Sequence, residues 1–171
     1  MRTPKAAWGT GIFLVCVPGA VAGGIPFWIA SSGTGPQWQG NGASSTLGWM
    51  CIALGSVGLL DSFVRFVIDG RGTPAPIAPT EVLVVRGLYR WVRNPMYVAV
   101  LLVILGQALV FAAPLVLGYG GMVAIAVTSF LHWYEEPTLA RRFGDQYTAY
   151  RAAVPGWWPK RPVDANRARA V

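Results

Sequence analysis

The sequence predicts an all-α polytopic membrane protein with four transmembrane helices, the third and fourth forming a tight hairpin, followed by a C-terminal interfacial amphipathic helix. Of its 171 residues, 54% are hydrophobic and 12% are charged, about half the charged share of a soluble domain. Apolar segments of about 20 residues, the length that crosses the hydrocarbon of a bilayer, recur along the chain. The basic residues lie at the ends of these segments. The net charge of +7 therefore favours membrane boundaries over a nucleic-acid partner.

The first two spans are predicted at about 8–30 and 47–68. The first contains Pro18 and Pro26 among several glycines, which predicts a helix that is kinked or closely packed against a neighbour. We expect no signal-peptide cleavage here, because this apolar run is longer than the apolar core of a signal peptide.

Two opposite charges, Asp61 and Arg65, lie four residues apart near the end of the second span. An ionisable pair at membrane depth indicates a functional site. The same spacing also allows the two side chains to neutralise each other, with the arginine reaching the membrane surface. The sequence leaves both interpretations open.

The third and fourth spans are predicted at about 95–112 and 114–133. The apolar run that contains them is too long for a single span, and Pro114 marks the break. Antiparallel helices of similar length bring their free ends together. We therefore expect Tyr97, near the start of the third span, to lie close to Glu135, just after the fourth.

The distribution of arginine and lysine predicts the orientation. The loop at 31–46 carries no charge, whereas the loop at 69–94 and the C-terminal segment at 135–171 carry most of the arginines. By the positive-inside rule both termini are expected to be cytoplasmic. We expect residues 1–171 to form one membrane-embedded domain, and so short and compact a chain suits a bacterial inner membrane.

The C-terminal segment shows a helical repeat. Apolar and aromatic side chains recur at spacings of four, four and three residues (Leu139, Phe143, Tyr147, Tyr150). Arg151 and other charged residues lie off this stripe. The pattern predicts an interfacial amphipathic helix, bent at Gly144, with Trp157 and Trp158 as anchors at the membrane surface.

Two polar motifs meet at the ends of the predicted hairpin. In "GLYRWVRNPMY", Asn94 is a favourable N-cap and Pro95 a favourable first helical residue, so the third span should begin with free N–H groups beside Arg93. The other motif begins "EEP", with Glu135 and Glu136. The cationic helix start could hold a carboxylate and either glutamate an ammonium group. The two motifs together predict a site for a small zwitterion.

At these motifs the chain resembles the isoprenylcysteine carboxyl methyltransferase and phospholipid methyltransferase group of integral-membrane enzymes. The family pattern G-x-Y-x-x-x-R-[HN]-P-x-Y stands here as "GLYRWVRNPMY". The later block, E-E-x-x-L-x-x-x-F-G-x-x-Y-x-x-Y-x-x-x-V-P, stands as "EEPTLARRFGDQYTAYRAAVP". Asn94 is a departure, because the carboxyl methyltransferases proper have histidine there, and this counts against prenylated cysteine as the acceptor.

The resemblance implies an enzyme that moves a methyl group from S-adenosylmethionine to a lipophilic acceptor, either an isoprenylcysteine-like carboxylate or a phospholipid-like amine. It implies that the cofactor binds on the cytoplasmic side, between the third and fourth spans and the C-terminal segment. The residues that it assigns to cofactor binding are Gly87, Tyr89, Arg93, Asn94, Pro95, Tyr97, Glu135 and Glu136.

Methyl transfer from a sulfonium needs alignment and exclusion of water more than acid–base catalysis. The predicted catalytic residues are Arg93, which aligns the donor, and Glu136 or His132, which could remove a proton from an amine, hydroxyl or thiol acceptor. No metal site is expected, because the chain has one histidine and two isolated cysteines.

Two other functions fit parts of the sequence. Membrane sterol reductases use a related R-H-P-x-Y motif but bind NADPH, whose phosphates would favour more cations than the Glu-Glu motif offers. A non-catalytic scaffold could bind lipid headgroups through the basic surface.

Overall fold

The computed structural model describes residues 17–33, 35, 38–68 and 83–160, and every regular element in this part of the chain is helical. The prediction of an all-α protein is thereby confirmed for the described residues. The helices are α1 (Val17–Ser31), α2 (Gly42–Ile68), α3 (Pro95–Val110), α4 (Pro114–Phe130), α5 (Glu136–Phe143) and α6 (Asp145–Ala153). One π turn lies within α1 (Ala20–Gly24), another joins α4 to α5 (Leu131–Glu135), and a 3₁₀ turn precedes α3 (Gly87–Arg90).

Two helical stretches are long and apolar enough to cross a membrane, by length and composition: Gly42–Arg65 within α2 and the continuous Pro114–Phe143. Helices α1 and α3 are shorter and also apolar. Large apolar side chains face outward from the long helices; Leu54 is 63% exposed and Ile125 is 71% exposed. Such surfaces are typical of helices that contact lipid or a partner. Four spans were predicted, and two helices have the length and composition of a span. The predicted first and third spans stay predictions.

Helices α2 and α3 pack with their backbones in contact. A Cβ atom added at Gly48 would lie 2.7 Å from the carbonyl oxygen of Gly106, and one added at Gly55 would lie 2.8 Å from that of Ala99. Side chains larger than hydrogen cannot fit at either glycine. Small residues at a helix–helix contact are characteristic of packing within membranes, where close approach maximises van der Waals contact.

Proline explains an irregularity in α1. Pro26 has no N–H, so the carbonyls of Val21 and Ala22 lack the donor that a π or an α hydrogen bond would take from residue 26. Side chains of neighbouring helices replace it: the Tyr119 hydroxyl donates to the Val21 carbonyl at 2.9 Å, and Gln107 Nε2 donates to that of Ala22. The predicted close packing of the first span is confirmed. Its expected first residues lie outside the described part of the chain.

Helix α2 begins at Gly42, five residues before the predicted span at 47–68. Asn41 Oδ1 accepts the backbone N–H of Ser44 at 2.8 Å, and the backbone N–H of Asn41 donates to Ser44 Oγ at 3.1 Å. This reciprocal pair is a capping box, which starts the helix within polar sequence. Hydropathy predicts the apolar span but does not predict a first helical turn made of polar residues.

The turn between α3 and α4 lies close to its predicted place. Helix α3 ends at Val110 rather than at residue 112, and the chain turns through Ala112, whose φ is +50°. Pro114 begins α4 as predicted. Ile104 of α3 and Val116 of α4 belong to one buried apolar cluster, so the two helices share a core.

The fourth span was predicted at about 114–133, and the helical stretch that contains it is longer. It runs continuously from Pro114 at the start of α4, through the π turn and α5, to Phe143. The chain stays helical through the charged "EEP" sequence, and the π turn, in which the Glu136 N–H donates to the Leu131 carbonyl, ends directly before Pro137. The predicted bend at Gly144 is present, with φ at +51°.

The apolar stripe of the C-terminal segment faces protein. Tyr147, Tyr150 and Val154 are buried together and pack against Leu83, Val85, Leu139 and Phe143. The apolar stripe therefore packs against protein rather than lipid, and the interfacial position of the segment stays a prediction. Periodicity reveals an apolar face but not the apolar partner, which here is the extended chain before the 3₁₀ turn.

Candidate functional site

The 3₁₀ turn is docked against α2 through the charged pair Asp61 and Arg65. The two side chains form an ion pair at 3.5 Å, and Asp61 Oδ2 accepts the backbone N–H of Leu88 at 3.3 Å. Gly87 has φ at +58°, and a Cβ atom there would lie 2.8 Å from both Asp61 Oδ2 and Arg65 Nε. Glycine is therefore favoured by conformation, and a larger side chain would also displace Asp61 and Arg65. Of the two interpretations of this pair, the structure shows the mutual ion pair, which also anchors the turn.

Tyr89, in the same turn, is held from the opposite side by α6. The Tyr150 hydroxyl donates to the Tyr89 carbonyl at 2.7 Å, and both rings are buried. Burial, followed by the neighbouring Tyr150, raises the pKa of the Tyr89 phenol. Burial also raises the pKa of Tyr150, against the opposing effect of Arg93. Both phenols stay protonated near neutral pH, so Tyr150 remains a hydrogen-bond donor.

Arg93 and Glu136 form an ion pair between the start of α3 and the start of α5. Arg93 Nη1 lies 3.0 Å from Glu136 Oε1, and the two side chains are only 13% and 16% exposed. Arg151 Nη2 of α6 lies 3.2 Å from the other oxygen, Glu136 Oε2. Arg93 Nη1 also donates to the Tyr147 hydroxyl at 3.4 Å. One carboxylate is thus shared by two guanidinium groups.

Tyr97 and Glu135 make a second contact between the same two segments. The Tyr97 hydroxyl donates to Glu135 Oε2 at 2.8 Å. The predicted meeting of these two residues is therefore observed, although they are 38 residues apart in sequence. Tyr97 lies in the first turn of α3, four residues after Arg93, and the two glutamates are adjacent, so the two pairs are neighbours.

The chain after α6 lies along the segment that precedes α3. The backbone N–H of Arg93 donates to the Pro155 carbonyl at 2.8 Å, and that of Lys160 donates to the Trp91 carbonyl at 3.1 Å. A Cβ atom added at Gly156 would lie 3.3 Å from Arg93 Nη2. These contacts enclose the arginine between the 3₁₀ turn and the C-terminal segment.

Asn94 occupies the predicted position but does not make the predicted contact. Helix α3 begins at Pro95, and the Asn94 carbonyl accepts the backbone N–H of Val98 at 3.2 Å. The Asn94 side chain makes no capping hydrogen bond. Its Nδ2 donates instead to the Gly156 carbonyl at 3.1 Å. The expected side-chain cap is wrong, because a tertiary acceptor takes the amide.

The structure brings together most of the predicted site residues and leaves one outside. Ion pairs and hydrogen bonds join Arg93 to Glu136 and Tyr97 to Glu135, and Asn94 bonds Gly156, which lies close to Arg93. Gly87, Tyr89 and Pro95 lie in the segments on either side of Arg93. His132 is exposed, with its ring 6.5 Å from that of Trp133, and the hydrogen bonds described for Arg93, Tyr97 and the two glutamates do not include it. Its predicted role as a base stays a prediction.

Sequence reasoning missed Arg151, Tyr147 and Gly156. Arg151 was expected to point away from the aromatic stripe, and at 54% exposure it does, yet its guanidinium reaches Glu136. The bend at Gly144 folds α6 back toward α5, and the two residues are 15 positions apart. Gly-Trp-Trp after Val-Pro was a visible signal for a docked segment.

The cluster retains one donor for a further acceptor. Among the described residues, the buried Nε of Arg93 has no hydrogen-bond partner. An unsatisfied buried guanidinium N–H is uncommon and costly, so it fits a site that receives a carboxylate or another anion. In the same part of the chain, no group of three or more His, Cys, Asp or Glu side chains could hold a metal ion.

Comparison with known proteins agrees with this geometry. Residues 43–146 match the sequence model of a family described as phospholipid methyltransferase. The match covers more than half of the chain, from the first turn of α2 into α6, and includes both polar motifs up to the bend at Gly144. The comparison with curated proteins finds no match.

Proposed function

Because the chain belongs to the phospholipid methyltransferase family, we propose that it is an integral-membrane enzyme that moves a methyl group from S-adenosylmethionine to a lipid acceptor. The observation that carries the proposal is the juxtaposition of Arg93 with Glu136 and of Tyr97 with Glu135. A cationic helix start and a pair of carboxylates then line one place, which suits a ligand with an ammonium and a carboxylate group.

The residues present fit the proposed cofactor. Arg93 offers a buried Nε donor that has no acceptor among the described residues. Tyr97 engages Oε2 of Glu135, so we assign Oε1 of Glu135 to the ammonium group. Glu136 pairs with Nη1 of the Arg93 guanidinium and orients it. S-adenosylmethionine, when bound, supplies a methyl group that is already activated by the positive charge on its sulfur.

The protein's own contribution is alignment and exclusion of water. Gly87, which has a positive φ, packs against α2, and Gly156 lies close to Arg93. Because neither residue has a side chain, the backbone can approach the site at both positions. Both oxygens of Glu136 are engaged by arginines, so this residue is proposed to orient rather than to accept a proton. For an amine acceptor, the exposed His132 is then the remaining candidate base.

Exposed aromatic residues support the proposed position in the membrane. Trp133 and Trp158, near the site, are 77% and 83% exposed. Trp28, near the end of α1, and Trp49, in the first half of α2, are also exposed and lie toward the helix ends that are far from the site. Tryptophan is enriched at both surfaces of a bilayer. The 18 residue-to-residue steps from Leu115 to Trp133 rise by about 27 Å, close to the hydrocarbon thickness of about 30 Å. We therefore place the site at one membrane surface, with four spans, cytoplasmic termini and access for lipid from the bilayer.

The test is transfer of labelled methyl from S-adenosylmethionine into a total lipid extract of a bacterial membrane. We expect label in a lipid, and identification of that lipid decides between a phospholipid-like amine and an isoprenylcysteine-like carboxylate. Arg93→Ala and Glu135→Gln should abolish transfer. Arg141→Gln, an exposed arginine of α5, is the matched control and should retain it.

Binding measurements separate this proposal from the other functions. S-adenosylhomocysteine should raise the unfolding temperature of the purified protein in detergent, and NADPH should not. Arg93→Ala should weaken S-adenosylhomocysteine by about 2–5 kcal/mol, the cost of removing one partner of a buried charge pair. Stabilisation by NADPH alone would indicate a reductase, and lipid association without either response would indicate a scaffold.

A further inference from the structure

Glu136 is shared between a buried arginine and a half-exposed one. Its Oε1 pairs with Arg93 at 3.0 Å and its Oε2 with Arg151 at 3.2 Å. The Arg93 side chain is 13% exposed, whereas that of Arg151 is 54% exposed. Two cations and one anion leave this group with one positive charge to spare.

The spare charge matters when Arg93 binds a ligand carboxylate. A ligand carboxylate at the Nε of Arg93, which has no partner among the described residues, would share this guanidinium with Glu136, which already pairs with Nη1. Without a second cation, two carboxylates would share one positive charge at a mostly buried place, which is unfavourable. With Arg151 on Oε2, Glu136 has a second cation, and Arg93 can pair with the ligand as well.

We infer that Arg151 is a positioning residue for the cofactor: it holds Glu136 so that Arg93 can pair with the carboxylate of the bound amino-acid group. The inference rests on the proposed function. Arg151 lies at an unspecified position of the motif "YTAYRAAVP", between the second tyrosine and Val-Pro, so the motif itself does not assign it a role.

Several contacts besides this ion pair hold α6 in place. On one side of Arg151, the Tyr150 hydroxyl donates to the Tyr89 carbonyl, and on the other Val154 is buried with 1% exposure. The next residue after Val154, Pro155, accepts the backbone N–H of Arg93. Removal of the guanidinium should therefore leave α6 docked and change mainly the charge balance at Glu136.

The experiment compares Arg151→Gln, Arg151→Lys and the control Arg141→Gln, measuring the affinity of the detergent-solubilised full chain for S-adenosylhomocysteine by calorimetry. We expect roughly tenfold weaker binding for Arg151→Gln, near recovery for Arg151→Lys and less than about a twofold change for Arg141→Gln. In the transfer assay, the KM for S-adenosylmethionine should rise in Arg151→Gln while kcat stays within about twofold.

A second ligand distinguishes positioning from a general structural effect. 5′-Methylthioadenosine lacks the amino-acid carboxylate, so its affinity should be the same for wild type and Arg151→Gln. Equal losses for both ligands, or unchanged affinity for S-adenosylhomocysteine, would overturn the inference and leave the proposed function standing. If the wild-type chain does not bind S-adenosylhomocysteine, the proposed function fails and the inference fails with it.

Discussion

The contact between Gln107 and α1 gives the sharpest test of how the helices are held together. Gln107, buried in α3, donates to the Ala22 carbonyl, which cannot take an α-helical hydrogen bond from residue 26 because that residue is proline. We predict that Gln107→Leu lowers the free energy of unfolding in the native chain but much less in the Pro26→Ala background. In that background, the N–H of residue 26 can take the place of the glutamine.

The magnitude follows from one unsatisfied acceptor. A buried carbonyl left without a donor costs about 1–3 kcal/mol in soluble proteins. Polar contacts between membrane helices average lower, about 0.6 kcal/mol with a maximum near 1.7. Leucine adds apolar contact that offsets part of the loss. We therefore expect about 1 kcal/mol for Gln107→Leu alone and a coupling energy of similar size between positions 26 and 107.

The assay is equilibrium unfolding of the four chains of this double-mutant cycle in mixed micelles. Thr128→Val, at an exposed position of α4, controls for the loss of a polar side chain and should change stability by less than about 0.5 kcal/mol. If Gln107→Leu costs the same with and without Pro26, the side chain does not substitute for the missing N–H, and our explanation of the π turn is wrong.

Three further predictions concern the site. Tyr97→Phe removes the 2.8 Å hydrogen bond to Glu135 and should weaken S-adenosylhomocysteine by about 1–2 kcal/mol in calorimetry; unchanged affinity would contradict the assignment of Glu135. Gly87→Ala should cost at least about 2 kcal/mol of stability, more than Gly33→Ala, because both have positive φ but only Gly87 is crowded by neighbours; equal costs would exclude the steric effect. Burial raises the pKa of Tyr150 above the ordinary 10.0, so the contribution of this phenol to stability is complete below pH 10.0 and is lost as the pH rises further. The melting temperature, measured from pH 8 to 11, should therefore fall less steeply for Tyr150→Phe than for the wild type.

The parts of the site that sequence could predict depend on chain length and local signals. Asn94 and Pro95 mark a helix start, and two apolar runs of similar length with a proline between them bring Tyr97 to Glu135. These inferences need no knowledge of side-chain partners. The all-α class and the turn at Pro114 were predictable because they also depend on the length of the apolar runs and on local signals such as proline.

The parts that sequence could not predict depend on tertiary partners. The amide of Asn94 could cap a helix or bond another segment, and only the position of Gly156 decides. The aromatic stripe of α6 could face lipid or protein, and Leu83 and Val85 decide. Arg151 reaches Glu136 because the chain bends at Gly144, and the helical periodicity of the sequence does not predict the direction of that bend.

The two π turns of the described chain show how backbone irregularity becomes contact between helices. In α1 the irregular turn leaves carbonyl oxygens that accept hydrogen bonds from α3 and α4. Between α4 and α5 the turn Leu131–Glu135 ends immediately before Glu136, and the two adjacent carboxylates both reach the start of α3. A π turn widens the helix by one residue and changes the direction of the side chains that follow, which is why such turns often lie at functional sites. The second turn therefore determines where the acidic side of the proposed cofactor site points, and the first keeps α1 against the helix that carries its basic side.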